Sequence, residues 1–203
     1  RNTTEILITG AVQTDTPPVI GNVTAYASGG INAIENGNSS IFFSFVVTDL
    51  EGAGNINNNS AFANISRGGE TTRYNDTIVF PNSGGCRATN PVGSSNGINF
   101  TCNISFVFYD GAGTWNISVR INDTDNNFAQ NNTQTFTINE LTAIQVYPNF
   151  FTFPTVAIGG VNISSLANIT INNTGNDDIS GREATGETIN VTAITLVGET
   201  SSS

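Results

Sequence analysis

Apolar residues recur at every second position over much of this chain. Between residues 98 and 108, Ile98, Phe100, Cys102, Ile104, Phe106 and Phe108 share one parity, while Asn99, Thr101, Asn103 and Ser105 share the other. Side chains alternate across a strand, so this period predicts a strand with one buried and one wet face. Trp115, Ile117, Val119 and Ile121 repeat the pattern after a turn at 110–113. Further strands are predicted at 23–28, 41–48, 61–67, 77–80 and 133–138. Gly- and Asn-rich turns such as Gly29-Gly30 and Gly84-Gly85 punctuate them. No segment holds a 3.6-residue apolar period. The chain therefore reads as all-β, and the seven strands between Pro17 and Asn139 predict an antiparallel sandwich over 17–140.

The remainder is too short for a second such domain. Residues 141–203 offer candidate strands at 143–147, 150–155, 166–173 and 188–197, with a short one at 178–180. An immunoglobulin-like sandwich takes about 100 residues and seven strands, so this module lacks one or two. Its apolar positions (Phe151, Phe153 and Val156, then Ile169 and Ile171, then Val191, Ile194 and Leu196) need a cover. The opposite end supplies a spare strand. Residues 4–12 alternate, with Ile6, Ile8, Gly10 and Val12 on one face, and Pro17-Pro18 cuts them off from the sandwich. Residues 1–16 thus read as a donor strand and linker that complete the short module of another copy by strand addition. Folding back onto its own chain as an ordinary first strand is the competing expectation.

The polar parity carries a second pattern. Fifteen Asn-x-Ser/Thr triplets occur, at Asn2, Asn22, Asn38, Asn58, Asn64, Asn75, Asn99, Asn103, Asn116, Asn122, Asn131, Asn162, Asn168, Asn172 and Asn190. Random placement of 30 Asn among 44 Ser and Thr would give about 6.5. In Asn116-Ile117-Ser118 or Asn168-Ile169-Thr170 the apolar middle residue points inward while Asn and the hydroxyl face out. The bland alternative is that these residues are only the polar half of alternating strands, but alternation does not require Asn two before Ser or Thr. Covalent N-linked glycans, and hence an extracellular, cell-surface location, are the expectation.

Composition sharpens this. The chain has no Met, Lys or His, and its six basic residues are all Arg, for a net charge of −10. No basic cluster favours nucleic acid, and no apolar run spans a membrane, so neither is expected as a partner. Without Met, residue 1 reads as a processed end or the start of an excerpt, with a removed signal peptide as the natural inference. The two cysteines, Cys86 and Cys102, are expected to form a disulfide in an oxidising compartment.

Several segments resemble known surface proteins. Residues 109–138, with Tyr109-Asp110-Gly111-Ala112-Gly113-Thr114-Trp115 and the closing Phe136-Thr137-Ile138, look like the last strands of Ig-like repeats in archaeal and bacterial surface proteins. Residues 145–175, with Val146-Tyr147-Pro148, Gly159-Gly160 and Ile169-Thr170-Ile171-Asn172-Asn173-Thr174-Gly175, look like the opening half of another such module. The leading strand, with Gly10 interrupting its alternating hydrophobics, resembles the donor strand of pilins assembled by donor-strand exchange. Sugar-coated filaments of archaeal type match better than chaperone–usher pilins, which usually have one sandwich. The resemblance implies an Ig-like β-sandwich, an incomplete Ig-like module, and identical subunits in a helical homopolymer.

Catalytic chemistry finds little purchase. There is no His for proton transfer, no Lys nucleophile, no Gly-x-Ser-x-Gly and no zinc ligand set. Asp49 with Glu51 reads as a turn cap. Asn122-Asp123-Thr124-Asp125-Asn126-Asn127 imitates the start of a calcium loop, but Phe128 stands where Gly is required. It reads as a solvated hairpin turn, and Trp115 reads as a core residue rather than a sugar-stacking one. No enzyme, cofactor or metal is expected. The expected function is a structural subunit of a glycosylated, pilus-like filament. An adhesin or surface-layer stalk module excised from a longer protein is the alternative.

Overall fold

The computed structural model describes residues 14–26, 28–74, 85–92, 97–178 and 192. Nine strands build two facing sheets: β1 (Val19–Ala25), β2 (Ile31–Asn32), β3 (Asn38–Thr48), β4 (Phe62–Ser66), β5 (Arg73–Tyr74), β6 (Cys86–Val92), β7 (Gly97–Val107), β8 (Gly113–Asn122) and β9 (Phe128–Asn139). One sheet runs β1-β3-β7-β6, the other β2-β9-β8-β4-β5. All pairings are antiparallel except β2 with β9. The described residues are thus all-β, arranged as a two-sheet sandwich, and no α-helix occurs among them.

Alternation builds the core as the pattern predicts. Ile41, Phe43, Phe45 and Val47 of β3 and Phe100, Cys102, Ile104 and Phe106 of β7 are buried from one sheet. Ala63, Ile65, Trp115, Ile117, Val119, Ile121, Phe136 and Ile138 are buried from the other. β3 and β7 stay in unbroken register from Asn38↔Val107 to Thr48↔Gly97, which sets Phe45 against Phe100 with ring centroids 5.3 Å apart. Trp115 is fully buried, and its indole N–H donates to the Gly111 carbonyl at 2.9 Å. Such a partner is what a buried indole needs.

Cys86 and Cys102 stand opposite one another on β6 and β7 and form a disulfide, both fully buried. β6 carries no apolar alternation and contains Pro91, so the sequence pattern misses it. It pairs only with β7, and the register breaks between Thr89 and Pro91. An edge strand tolerates a residue that cannot donate to the ladder. β9 begins at Phe128, five residues before the predicted 133, because a bulge hides its period. Ile117 pairs with Gln134 but Val119 with Asn131, so the inward parity switches between Asn131 and Gln134. β2 and β5 are only two residues long and fall below any periodic signal. The strand predicted at 77–80 lies outside the described residues.

Beyond the sandwich, β10 (Ile144–Tyr147) and β11 (Thr170–Asn173) form an antiparallel two-stranded ribbon. Residues 150–155, read from the sequence as a strand, form none and are exposed throughout. Backbone there finds no neighbouring ladder among the described residues, and a strand without a partner leaves its polar groups to water. The predicted strand at 188–197 lies outside the described residues except Thr192, and 178–180 except Asp178.

Candidate assembly surface and glycan acceptors

The ribbon buries no apolar side chain of its own. Ile144 and Val146 of β10 share a face with Ile171 of β11, since Val146 pairs with Ile171. Ile144 is 49% exposed and Val146 42%, and Phe150 and Leu166 in the connecting segment reach 70% and 68%. Two-stranded ribbons are marginal in water and normally gain a third strand or a packing partner. Both strands also keep one edge without a ladder among the described residues.

The sandwich edges are mostly interrupted, although β9 keeps the side away from β8 without a ladder over 128–137 among the described residues. Two of its four edges are the two-residue strands β2 and β5, a third carries Pro91, and β1 is broken in register between Ile20 and Val23. Short, broken and proline-bearing edges resist strand addition.

A polar joint holds the ribbon to the sandwich. Thr174 is buried, its N–H donates to the Ala143 carbonyl, and its hydroxyl donates to the Glu35 carboxylate at 2.7 Å. The Asn36 N–H donates to the Thr174 carbonyl at 3.2 Å. Asn176 spans the crossing: its Oδ1 accepts from the Leu141 N–H at 2.7 Å and its Nδ2 donates to the Asn139 carbonyl at 3.1 Å. Gly175 is required here, because a Cβ at that position would lie 1.9 Å from the Leu141 carbonyl oxygen. The sequence marks 175–178 only as a turn. The reach of Thr174 back to Glu35 has no local signal.

Twelve of the fifteen expected glycan acceptors are described; Asn2, Asn75 and Asn190 lie outside. Asn22, Asn38, Asn58, Asn116, Asn162, Asn168 and Asn172 are exposed, and Asn64, Asn99, Asn122 and Asn131 are half-buried. Asn131 is engaged: its Nδ2 donates to the Gly21 carbonyl at 3.2 Å, and its Oδ1 accepts from the N–H and hydroxyl of Thr133. Asn103 departs from expectation. It is 2% exposed and its Oδ1 is buried without a hydrogen-bond partner, so this fold offers no room for a sugar there. Parity places Asn103 on the outer face of β7, but that face is covered at this point. The donor-strand residues Ile6, Ile8, Gly10 and Val12 lie outside the described residues.

At one end of the sandwich, turn chemistry consumes the candidate acidic ligands. Both oxygens of the fully buried Asp123 accept from its own turn: Oδ1 from the N–H groups of Asp125 and Asn127, and Oδ2 from Asn127 Nδ2 at 2.9 Å. Asp49 Oδ1 accepts from the Glu51 N–H at 2.9 Å, the capping role expected of it. The linker docks beside them, with Asn55 donating to Asp15 at 3.0 Å and Thr16 to Glu51 at 2.7 Å.

Burial pushes the Asp49 carboxyl above its ordinary 3.8, and the nearby Glu51 carboxylate adds to the rise against the hydrogen bonds that oppose it. A carboxyl raised on folding binds its proton more tightly in the native state. Its contribution to stability is fully present below the unfolded value and is lost as pH rises through the folded one. Asp49→Asn is therefore expected to flatten the fall in stability as pH rises from about 4 toward neutrality, relative to the parent. Urea midpoints read from the fluorescence of the single, buried Trp115 would check this. An unchanged pH slope in the variant counts against it.

No helix among the described residues is long and apolar enough to cross a membrane. No protein-family model matches the chain, and no curated protein is significantly similar to it.

Proposed function

We propose that this chain is the structural subunit of an extracellular, N-glycosylated surface filament, in which residues 4–12 of one copy complete the ribbon module of the next. The carrying observation is the ribbon β10–β11, whose apolar side chains stay exposed and whose two strands each keep one edge open among the described residues. Strand addition at the ribbon supplies the missing ladder and covers Ile144, Val146 and Ile171 together. The alternating Ile6, Ile8 and Val12, with Gly10 between them, have the period such a ladder accepts. Because donor and acceptor are different surfaces of one chain, the contact does not close on itself and propagates as a fibre.

In this reading the sandwich is an Ig-like spacer and the ribbon is the opening half of an Ig-like module. The exposed acceptors point sugar outward, where it blocks lateral pairing of filaments. The buried disulfide fits an oxidising exterior. Electron cryo-microscopy of native material tests the proposal. The expected map shows chain continuous from Pro17 into a neighbouring subunit, laid along β10 or β11, with sugar density on outward asparagines. Separate particles with residues 4–12 packed on their own chain sink the filament and favour an adhesin-like module.

A further inference from the structure

The outer face of β4 places an aromatic ring, a glycan acceptor and a hydroxyl in one row: Phe62, Asn64 and Ser66. Ala63 and Ile65 between them are fully buried. Asn64 also stands opposite Tyr74 of β5, and directly paired residues hold their Cβ atoms about 5 Å apart. The Phe62 and Tyr74 rings meet with centroids 5.7 Å apart, tilted by 44°. Both rings are open to solvent, Phe62 at 41% and Tyr74 at 59%. On its other side Phe62 pairs with Arg120, whose guanidinium lies 4.3 Å above the Phe128 ring.

We infer that the Phe62–Tyr74 pair is a platform on which the first sugar of an N-glycan at Asn64 packs. This rests on the glycoprotein reading above. A pyranose presents a face of polarised C–H groups, which suits the negative face of an aromatic ring. The covalent tether at Asn64 makes the contact intramolecular, so weak packing is populated without any further partner. Attachment forms the bond from Asn64 Nδ2 to the sugar C1 and breaks the sugar–phosphate bond of a lipid-linked oligosaccharide donor. The phosphate leaves with the lipid, and the amide proton passes to the transferase. The occupant is the chain's own glycan rather than a second protein because acceptors crowd this patch. Asn64 stands beside the ring pair, opposite Tyr74, and the exposed Asn116 lies across from Ser66 on β8. A protein docked here would have to bury both.

The test compares the full-length secreted protein with Phe62→Ala, Asn64→Gln and the double variant. Glycopeptide mass spectrometry reads occupancy, and Trp115 fluorescence reads thermal unfolding. Phe62→Ala is expected to lower the midpoint by about 2–4 °C more when Asn64 carries sugar than in the Asn64→Gln background. Equal shifts in the two backgrounds with Asn64 occupied overturn the platform and leave the glycoprotein reading standing. An empty Asn64 on a protein glycosylated elsewhere also overturns the platform. Sugar on none of the acceptors overturns both.

Discussion

Replacing Arg73 with Ala is expected to lower the unfolding free energy of the sandwich by about 3 kcal/mol, a large loss for a side chain on a two-residue edge strand. The cause is Asp110, whose side chain is 2% exposed in the crossover from β7 to β8. Its carboxylate takes Arg73 through both oxygens, with Nη2 to Oδ1 at 2.6 Å and Nε to Oδ2 at 3.0 Å, and accepts the Val107 N–H at 2.8 Å. The guanidinium is held charged by this partner above all. Without it a buried carboxylate keeps one backbone donor and no countercharge. Arg73, at 23% exposed, can turn to water when its partner is lost. Asp110→Asn is therefore expected to cost less than Arg73→Ala, and the double variant less than the sum. Urea unfolding followed by Trp115 measures all three. A loss under about 1 kcal/mol for Arg73→Ala, within the range of an exposed pair, would show that solvent screens the site.

That tie marks where the sequence stops being readable. Strands whose core residues alternate without interruption, such as β3, β7 and β8, are legible from Phe43, Phe45, Phe100, Trp115 and their neighbours alone, because burial on one face is a local, periodic requirement. β9 is legible only from Thr133 onward, through Phe136 and Ile138, since the bulge reverses parity and a period cannot be followed through a reversal. β6 is hidden because its place is earned by Cys86 facing Cys102, not by its own apolar residues. Arg73 with Asp110, and Thr174 with Glu35, join residues 37 and 139 positions apart. Nothing in either local sequence names its partner. The acceptor triplets are legible one by one, yet Asn103 shows the limit of reading exposure from parity. A residue on the polar side of a strand is still buried if something else covers that side.

The ribbon is legible in a different sense: its apolar positions are visible in the sequence, but not the fact that they find no cover. Among the described residues the sandwich buries an apolar side chain at almost every inward position of β3, β4, β7 and β8, while the ribbon buries none. Among the described residues, then, the sandwich has a buried apolar core and the ribbon has none. Physical chemistry leaves two routes for the latter, shielding by its own chain or by another copy, and the linker geometry bears on the choice. Thr16 and Asp15 fasten the start of the sandwich to the end that holds Glu51, Asn55 and Asn127. The ribbon is fastened through Glu35, Asn36 and Asn139, on the other side of β3 and β9 in the chain path. Residue 14 therefore leaves from the Asp123 turn, whereas the ribbon begins where β9 finishes, twelve residues of extended strand away. At about 3.3 Å per residue that is close to 40 Å. In the proposed assembly the donor segment leaves from one end of the sandwich and the acceptor ribbon lies at the other, which favours a neighbour as the recipient.

If residues 4–12 join the subunits as proposed, Ile8→Asp is expected to abolish polymerisation while leaving the 17–140 sandwich folded. Burying an Ile side chain contributes about 2 kcal/mol, and an unpaired carboxylate in its place adds several more against insertion. Since each 1.4 kcal/mol is tenfold in association, a combined loss of about 5 kcal/mol weakens each junction more than a thousandfold. Sedimentation of the variant should give subunits where the parent gives filaments, and its Trp115 fluorescence and urea midpoint should match those of the parent sandwich. Ile8→Val, which keeps the apolar period, should still polymerise. Thr9→Asp, one position on and of opposite parity, controls for charge alone and should polymerise too, since that parity points away from the acceptor. Filaments of normal length from Ile8→Asp would mean that residues 4–12 do not join the subunits. Failure of Thr9→Asp as well would mean that added charge in this segment, rather than an apolar face, governs assembly.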